Sequence, residues 1–164
     1  MINIATDSSK STITNIVEDH IQPNAYDVRL AKVFTISDAP FVITEDMKEH
    51  RGGKEIIPGE DGFIRLPPGR YDVLFDHKVQ IAEGEAGWLI QRSTLNRNAC
   101  FVTSGLYDSG FNGYVAGCLH VTQGMMITKP GTRLAQFVLT EADTGHAYDG
   151  SYGLGKFDET KYDK

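Results

Sequence analysis

Short apolar runs alternate with polar positions over most of this chain. The runs that match strand length and strand period lie at residues 71–75, 78–82, 87–90, 114–121 and 134–139. Such runs indicate β-strands when turn residues separate them, and Gly and Pro stand at close spacing between these. The pattern predicts an all-β protein with a compact antiparallel barrel or sandwich rather than a βαβ fold.

Helical patterns are scarce. Residues 11–20 put Ile13, Ile16 and Val17 on one helical face behind a Ser or Thr cap, which predicts one short helix. A second short helix is expected at residues 93–97. Residues 43–60 are charged and lack a clear period, so we expect a long loop there. We predict a barrel domain over residues 1–143 and a flexible C-terminal arm over residues 144–164.

Composition restricts the classes of function. The 164 residues fit one domain, and the net charge of −6 without a basic block argues against duplex nucleic acid as the partner. The start of the sequence does not resemble a signal peptide, and no apolar run approaches membrane-spanning length, so a cytoplasmic protein without membrane contact is expected. Cys100 and Cys118 lie among apolar neighbours, which favours free thiols over a disulfide. The five histidines lack zinc-site spacing, so no protein metal site is expected.

Polar motifs between Trp88 and Gln136 indicate a chemistry. Arg92-Ser93-Thr94, the lone carboxylate of Asp108 and the amide of Gln136 are groups expected around a phosphorylated ligand that is hydrolysed by one activated water. Each motif also has an ordinary structural interpretation. Arg-Ser-Thr can form a surface salt bridge and a helix cap, Asp favours turns, and Gln136 fits an outward-facing strand position.

Five motifs in order resemble the dUTPase and dCTP deaminase superfamily over residues 22–156. They lie at residues 24–30, 66–71, 88–97, 107–113 and 131–136. The resemblance implies a distorted antiparallel β-barrel or jelly roll that forms a homotrimer with active sites at subunit contacts. It also implies a deoxynucleoside triphosphate substrate that carries Mg²⁺, and an arm that folds over the ligand.

The resemblance assigns roles at the phosphate end of the ligand. Arg92, Ser93 and Thr94 match the phosphate-binding motif, and Gln136 matches a glutamine that contacts a phosphate oxygen. Arg97 matches an arginine of the deaminase form of the motif. Asp108 matches the aspartate that deprotonates the water attacking the α-phosphate, a task suited to a carboxylate near a metal-bound triphosphate.

Other residues are assigned to the nucleoside. Phe111 takes the place of the aromatic residue that packs under the deoxyribose, although an ordinary core Phe is an alternative. The hairpin at residues 101–106, with Gly105, would read the base through its backbone. In the arm, Tyr152 would stack on the base and Lys156 would contact phosphate, unless the arm is a disordered tail without a role.

One departure decides between the two activities of the superfamily. Deaminases have a glutamate on the strand after the turn, and that position is Cys118 here, with no acid between Asp108 and Glu141. A thiol substitutes poorly for that carboxylate. We therefore expect hydrolysis of dUTP to dUMP and pyrophosphate. The alternatives are a pyrophosphatase for dCTP or a modified pyrimidine, a retained deaminase, and a non-catalytic regulator that binds a nucleotide or a protein.

Overall fold

The computed structural model describes residues 1–156. The eleven strands in this part are β1 (Thr12–Ile13), β2 (Tyr26–Thr35), β3 (Val42–Ile43), β4 (Lys48–Glu49), β5 (Ile64–Leu66), β6 (Gly69–Gln80), β7 (Glu85–Gln91), β8 (Cys100–Thr103), β9 (Asn112–Val121), β10 (Met126–Thr128) and β11 (Arg133–Glu141). The α-helix α1 spans Ser93–Arg97, and a 3₁₀ helix spans Glu18–His20. The all-β prediction is confirmed.

One antiparallel sheet forms a nearly closed barrel. Its strand order is β7-β11-β2-β6-β9-β8, and β1 pairs with β6 outside this path. The two ends of the path approach each other where Tyr107, just after β8, bridges Gly87 of β7. Two small antiparallel pairs, β5 with β10 and β3 with β4, complete the pairing of the described strands.

The strand period places alternate side chains in the barrel interior. On β6, Tyr71, Val73, Phe75 and Val79 are buried in one core cluster, whereas Asp72, Asp76 and Lys78 are not buried. Gly87 permits the closest packing on β7. A Cβ atom there would lie 2.6 Å from the Phe137 ring and 2.9 Å from the carbonyl oxygen of Val138.

The helix predicted for residues 11–20 is wrong, whereas the one at 93–97 is confirmed as α1. Thr12 and Ile13 instead pair with the end of β6, and Asn15 takes a positive φ of 56° that interrupts any helix. Only the 3₁₀ helix lies in the predicted segment. Burial of Ile13 in the barrel core explains its apolar character.

The loop at residues 43–60 and the C-terminal arm lie near each other. The loop at residues 43–60 contains β4 and touches β2 through a bridge between Phe34 and Glu55. The Lys48 ammonium donates a hydrogen bond to the Ser151 hydroxyl at 2.9 Å, which joins the loop to the arm. No helix in residues 1–156 has the length and apolar content needed to cross a membrane.

Candidate active site

A buried carboxylate organises the residues predicted to bind phosphate. Asp27 on β2 is fully buried, and its Oδ2 lies 3.2 Å from Arg92 Nε and 3.3 Å from Arg133 Nη1. The Gln136 amide donates to Asp27 Oδ1 at 2.9 Å. Pairing of β11 with β2 and β7 brings these groups together from three strands or strand ends. Sequence reasoning assigned no role to Asp27, although it lies in the first of the five motifs.

Helix α1 presents the remaining polar groups of this end. It begins directly after Arg92, which has an extended backbone at the N-cap position. Ser93 and Thr94 are exposed, while Leu95 is buried and anchors the helix against the barrel. Arg97 is exposed in the last turn of α1. These groups therefore form one accessible surface that carries the fixed guanidinium of Arg92. We call Arg92, Ser93, Thr94 and Gln136 the phosphate cluster.

The turn that carries Asp108 is held by hydrogen bonds on both sides. The buried Ser109 hydroxyl donates to the Glu85 carbonyl at 2.7 Å and lies 2.7 Å from the Thr144 hydroxyl. The Phe111 amide donates to the Asp108 carbonyl at 3.0 Å. Gly110 completes the turn with a φ of 89°, a conformation that favours glycine. The backbone at half-buried Asp108 is thus fixed.

Glu85 at the base of β7 supports this turn from below. Its buried carboxylate accepts hydrogen bonds from the amides of Lys10 and Ser11, at 3.0 and 2.9 Å, and from the hydroxyls of Ser9 and Ser11. Burial acts to raise the pKa of Glu85, but these hydrogen bonds outweigh it and lower the pKa below its usual value. A stable negative charge thus fastens the N-terminal segment to the strand beneath Ser109.

Tyr107 and Phe111, which flank Asp108 in sequence, line a cavity of about 380 Å³, a size typical of small-molecule sites. Its lining residues are Asp72, Gly105, Leu106, Tyr107, Phe111, Tyr114, Ala116, Gly117, Tyr148 and Tyr152. Buried Phe111 packs edge-on to Tyr107, with ring centroids 5.1 Å apart. Its ring centroid lies 5.8 Å from that of Tyr148. The structure therefore brings the predicted residues Gly105, Phe111 and Tyr152 to one cavity.

The described part of the arm, residues 144–156, lies against the same cavity. The Tyr148 amide donates to the Ser109 carbonyl at 2.7 Å, and the Leu154 amide donates to the Asn112 carbonyl at 2.8 Å. The Lys156 ammonium donates to the Gly150 carbonyl at 2.6 Å and lies 5.1 Å from the Tyr148 ring centroid. Lys156 therefore lies near this cavity. The predicted domain boundary at residue 143 stays a prediction, and residues 157–164 of the arm lie outside the described part.

Cys118 faces a carboxylate that sequence reasoning missed. Both cysteines are free thiols, and Cys118 on β9 is the register partner of Asp72 on β6. Burial raises the pKa of the Cys118 thiol, and the negative charge of Asp72 raises it further. No acid follows Asp108 in sequence before Glu141, but the neighbouring strand supplies one beside the cavity. Cross-strand pairing is the signal that a local motif search overlooks.

The two halves of the candidate site lie far apart within one chain. Ser109 hydrogen-bonds to Glu85 at the start of β7, whereas Arg92 follows the last residue of the same strand. The Asp108 turn contacts β7 from Glu85 to Gly87, five to seven positions before Arg92, which corresponds to roughly 17–23 Å at ~3.3 Å per residue. The Asp108 turn and Arg92 therefore lie toward opposite ends of β7.

Residues 1–156 contain no cluster of three or more His, Cys, Asp or Glu side chains placed to hold a metal ion. His77, one of the five histidines, is a buried core residue. Its Nδ1 donates to the Thr14 carbonyl at 2.8 Å, and its Nε2 accepts from the Arg29 amide at 3.2 Å. Burial lowers the pKa of His77, so this ring is neutral and serves the fold.

Comparison with known proteins identifies the family. A family model described as dCTP deaminase-like matches residues 2–142. A probable deoxyuridine 5′-triphosphate nucleotidohydrolase of Halobacterium salinarum is 31% identical over 142 residues, which cover 84% of this chain and 85% of that protein. The deoxyuridine 5′-triphosphate nucleotidohydrolase of Methanocaldococcus jannaschii is 30% identical over 152 residues, covering 91% and 97%.

Solved structures share the fold at low identity. A 2′-deoxycytidine 5′-triphosphate deaminase from Agrobacterium tumefaciens matches with a TM-score of 0.62 at 15% identity, over 81% of this chain but only 44% of that one. A mutant dUTPase of Staphylococcus bacteriophage 80alpha with dUpNHpp matches with a TM-score of 0.51 at 14% identity, over 87% and 97%. The chain thus belongs to the dCTP deaminase-like family, in which it is similar to deoxyuridine triphosphate nucleotidohydrolases.

Proposed function

We propose that this protein hydrolyses dUTP to dUMP and pyrophosphate. The observation that carries the proposal is the fixed turn of Asp108, which lies in sequence between Tyr107 and Phe111, two residues that line a nucleoside-sized cavity. The chain's similarity to nucleotidohydrolases that act on deoxyuridine triphosphate supports the same substrate. The absence of a carboxylate at position 118 favours phosphate chemistry over ring chemistry.

In the proposed reaction, the Asp108 carboxylate accepts a proton from a water molecule. The water oxygen attacks the α-phosphorus, the bond to the bridging oxygen of the β-phosphate breaks, and pyrophosphate leaves with that oxygen. Asp108 is half-buried, so part of its surface is accessible to water. Phe111 supports the sugar, the backbone near Gly105 reads the base, and Tyr152 stacks on it.

The phosphate cluster supplies charge and hydrogen-bond donors for the leaving group. Arg92 contributes a guanidinium whose orientation is set by Asp27, and Ser93 and Thr94 contribute exposed hydroxyls. Gln136 is held by the same carboxylate. Arg97 and Lys156 add positive charge at the margin of the site. An orientation fixed before binding lowers the entropy cost of clamping the triphosphate.

Mg²⁺ enters this scheme with the substrate. The donor set of the phosphate cluster is cationic or neutral, which suits a triphosphate whose own oxygens hold the metal. When bound, Mg²⁺ neutralises charge that develops on the departing pyrophosphate. The residues of this chain then bind and orient the phosphate oxygens.

The separation of Asp108 from Arg92 supports an assembly of copies. We propose a homotrimer in which the cavity and Asp108 of one copy meet the phosphate cluster of another. The Asp108 turn and Arg92 lie roughly 17–23 Å apart along β7, and this separation motivates a site shared between copies. A mass measurement by light scattering is expected to give three times the chain mass.

Pyrophosphate release from dUTP in the presence of Mg²⁺ tests the enzyme. Asp108→Asn keeps the side-chain size but cannot accept the water proton, and we expect a loss of at least about 10²-fold in kcat. Asp38→Asn removes an exposed carboxylate outside the site and serves as the matched control. Unchanged activity in Asp108→Asn would refute the assigned role.

Mixing two inactive variants tests the shared site. Asp108→Asn and Arg92→Ala damage different halves, so subunit exchange between them creates some sites with both halves intact. Recovery of activity after exchange is expected, whereas neither variant alone recovers. A mixture that exchanges subunits and stays inactive would contradict a site made from two copies.

A further inference from the structure

Asp72 brings a carboxylate to the cavity from outside the predicted motifs. It lies on β6 directly opposite Cys118 of β9 and lines the cavity together with Ala116 and Gly117. Directly opposed residues of an antiparallel pair face the same side of the sheet, with Cβ atoms about 5 Å apart. The negative charge of Asp72 contributes to the raised pKa of the Cys118 thiol, in agreement with this placement.

The register of β6 and β9 locates Asp72 at the end of the cavity farthest from Asp108. Tyr114 is opposite Lys78, Ala116 is opposite Leu74, and only then follows the pair formed by Cys118 and Asp72. The four residues from Tyr114 to Cys118 span about 13 Å along β9. Phe111, three residues after Asp108, defines the near end of the cavity, so a nucleoside placed with its phosphate at Asp108 points its base toward Asp72.

The loop that follows β8 reaches the cavity beside the pair formed by Cys118 and Asp72. Thr103 at the end of β8 pairs with Cys118, and the chain continues through Gly105 and Leu106, which line the cavity. The base end is therefore enclosed by backbone of the hairpin on one side and by the carboxylate of Asp72 on the other. The remaining lining near this end, Leu106, Ala116 and Gly117, offers no charged side chain.

The chemistry of a carboxylate discriminates between pyrimidines. An ionised carboxylate only accepts hydrogen bonds, so it favours an exocyclic amino group over a carbonyl oxygen at the same position. We propose that Asp72 is a specificity-determining residue that accepts a hydrogen bond from the amino group of a cytosine-type base. The protein then also converts dCTP and water to dCMP and pyrophosphate by the reaction proposed for dUTP. This inference rests on the proposed function.

The kcat/KM for pyrophosphate release from dCTP and from dUTP tests the inference. Asp72→Leu removes the acceptor at similar size, whereas Asp72→Asn keeps one acceptor oxygen and loses the charge. We expect the ratio of the dCTP value to the dUTP value to fall about tenfold or more in Asp72→Leu and by less in Asp72→Asn, as for the loss of a hydrogen bond to a charged group. Asp38→Asn is expected to leave the ratio unchanged.

Binding of dCMP and dUMP by calorimetry gives a second measurement without turnover. Wild type is expected to bind dCMP with an affinity that Asp72→Leu loses, while dUMP binding is kept or strengthened. Activity on dUTP alone, with a ratio and a dCMP affinity insensitive to both Asp72 variants, would overturn this inference and leave the proposed function standing. Ammonia release from dCTP that disappears in Asp72→Asn would also overturn it, because Asp72 would then act on the ring. Should Asp72→Leu fail to fold, Asp72→Asn and the product affinities decide.

Discussion

Removal of the buried negative charge at Asp27 gives the sharpest test of how the phosphate cluster is built. The carboxylate accepts from Arg92, Arg133 and Gln136 at 3.2, 3.3 and 2.9 Å, and its own side chain is 1% exposed. Asp27→Asn keeps the shape but provides one acceptor oxygen and turns an NH₂ group toward cationic donors. We therefore expect lower stability and weaker triphosphate binding together.

The magnitude follows from the contacts that are lost. Asn keeps an acceptor for about one of the three donors, and two hydrogen bonds to a charged group are worth about 3–6 kcal/mol. Arg92 and Arg133 have side chains 33% and 34% exposed, so water compensates for part of the loss. We expect the free energy of unfolding to fall by about 2–4 kcal/mol. For a domain of this size, that corresponds to a decrease in Tm of roughly 4–16 °C.

Trp88 is the only tryptophan and is 36% exposed, so its fluorescence reports urea unfolding. Wild type, Asp27→Asn and the control Asp38→Asn are compared at one protein concentration, because assembly changes apparent stability. The KM for dUTP is measured in parallel and is expected to rise in Asp27→Asn. A change in unfolding free energy below about 0.5 kcal/mol, with KM unchanged, would refute the view that Asp27 holds the cluster together.

Two further predictions concern the barrel. Burial lowers the pKa of His77 below its usual 6.5. As the pH falls below 6.5, the His77 ring is therefore protonated in the unfolded chain before it is protonated in the folded one, and the wild type loses stability. The stability advantage of wild type over His77→Phe in urea unfolding is therefore expected to be larger at pH 7.5 than at pH 5.5, and a constant difference would contradict it. Gly87→Ala forces a Cβ atom against Phe137 and should lower the unfolding free energy by about 1–3 kcal/mol, whereas Gly52→Ala, with no atom near its Cβ, is expected to change little.

The sequence pattern is enough to predict the long strands, but it does not predict the local structure of every segment. Period-two runs on β6, β9 and β11 predict strands because burial on one face is a repeating local property. Residues 11–20 mislead because the spacing of Ile13, Ile16 and Val17 fits a helix, whereas only Ile13 enters the core and the other two are exposed. Pairing with β6, a tertiary contact, overrides the helical pattern.

The same distinction separates the predicted from the missed site residues. Arg92, Asp108 and Gln136 belong to contiguous motifs that can be recognised one at a time. The role of Asp27 depends on groups 65 or more positions away, and that of Asp72 depends on its register with Cys118. Neither dependence is visible without knowledge of which strands are neighbours.

The place of β11 in the sheet has a consequence for synthesis of the chain. β11 covers Arg133–Glu141, yet it lies between β7 and β2 and pairs with both. A nascent chain that ends before β11 has two unpaired sheet edges where the barrel should close, and such edges template aggregation. The barrel therefore cannot close until nearly the whole chain has been made, and the long-range pairings that follow are of the kind that makes folding slow. Translation that stalls before residue 133 would release an aggregation-prone intermediate rather than a smaller folded protein.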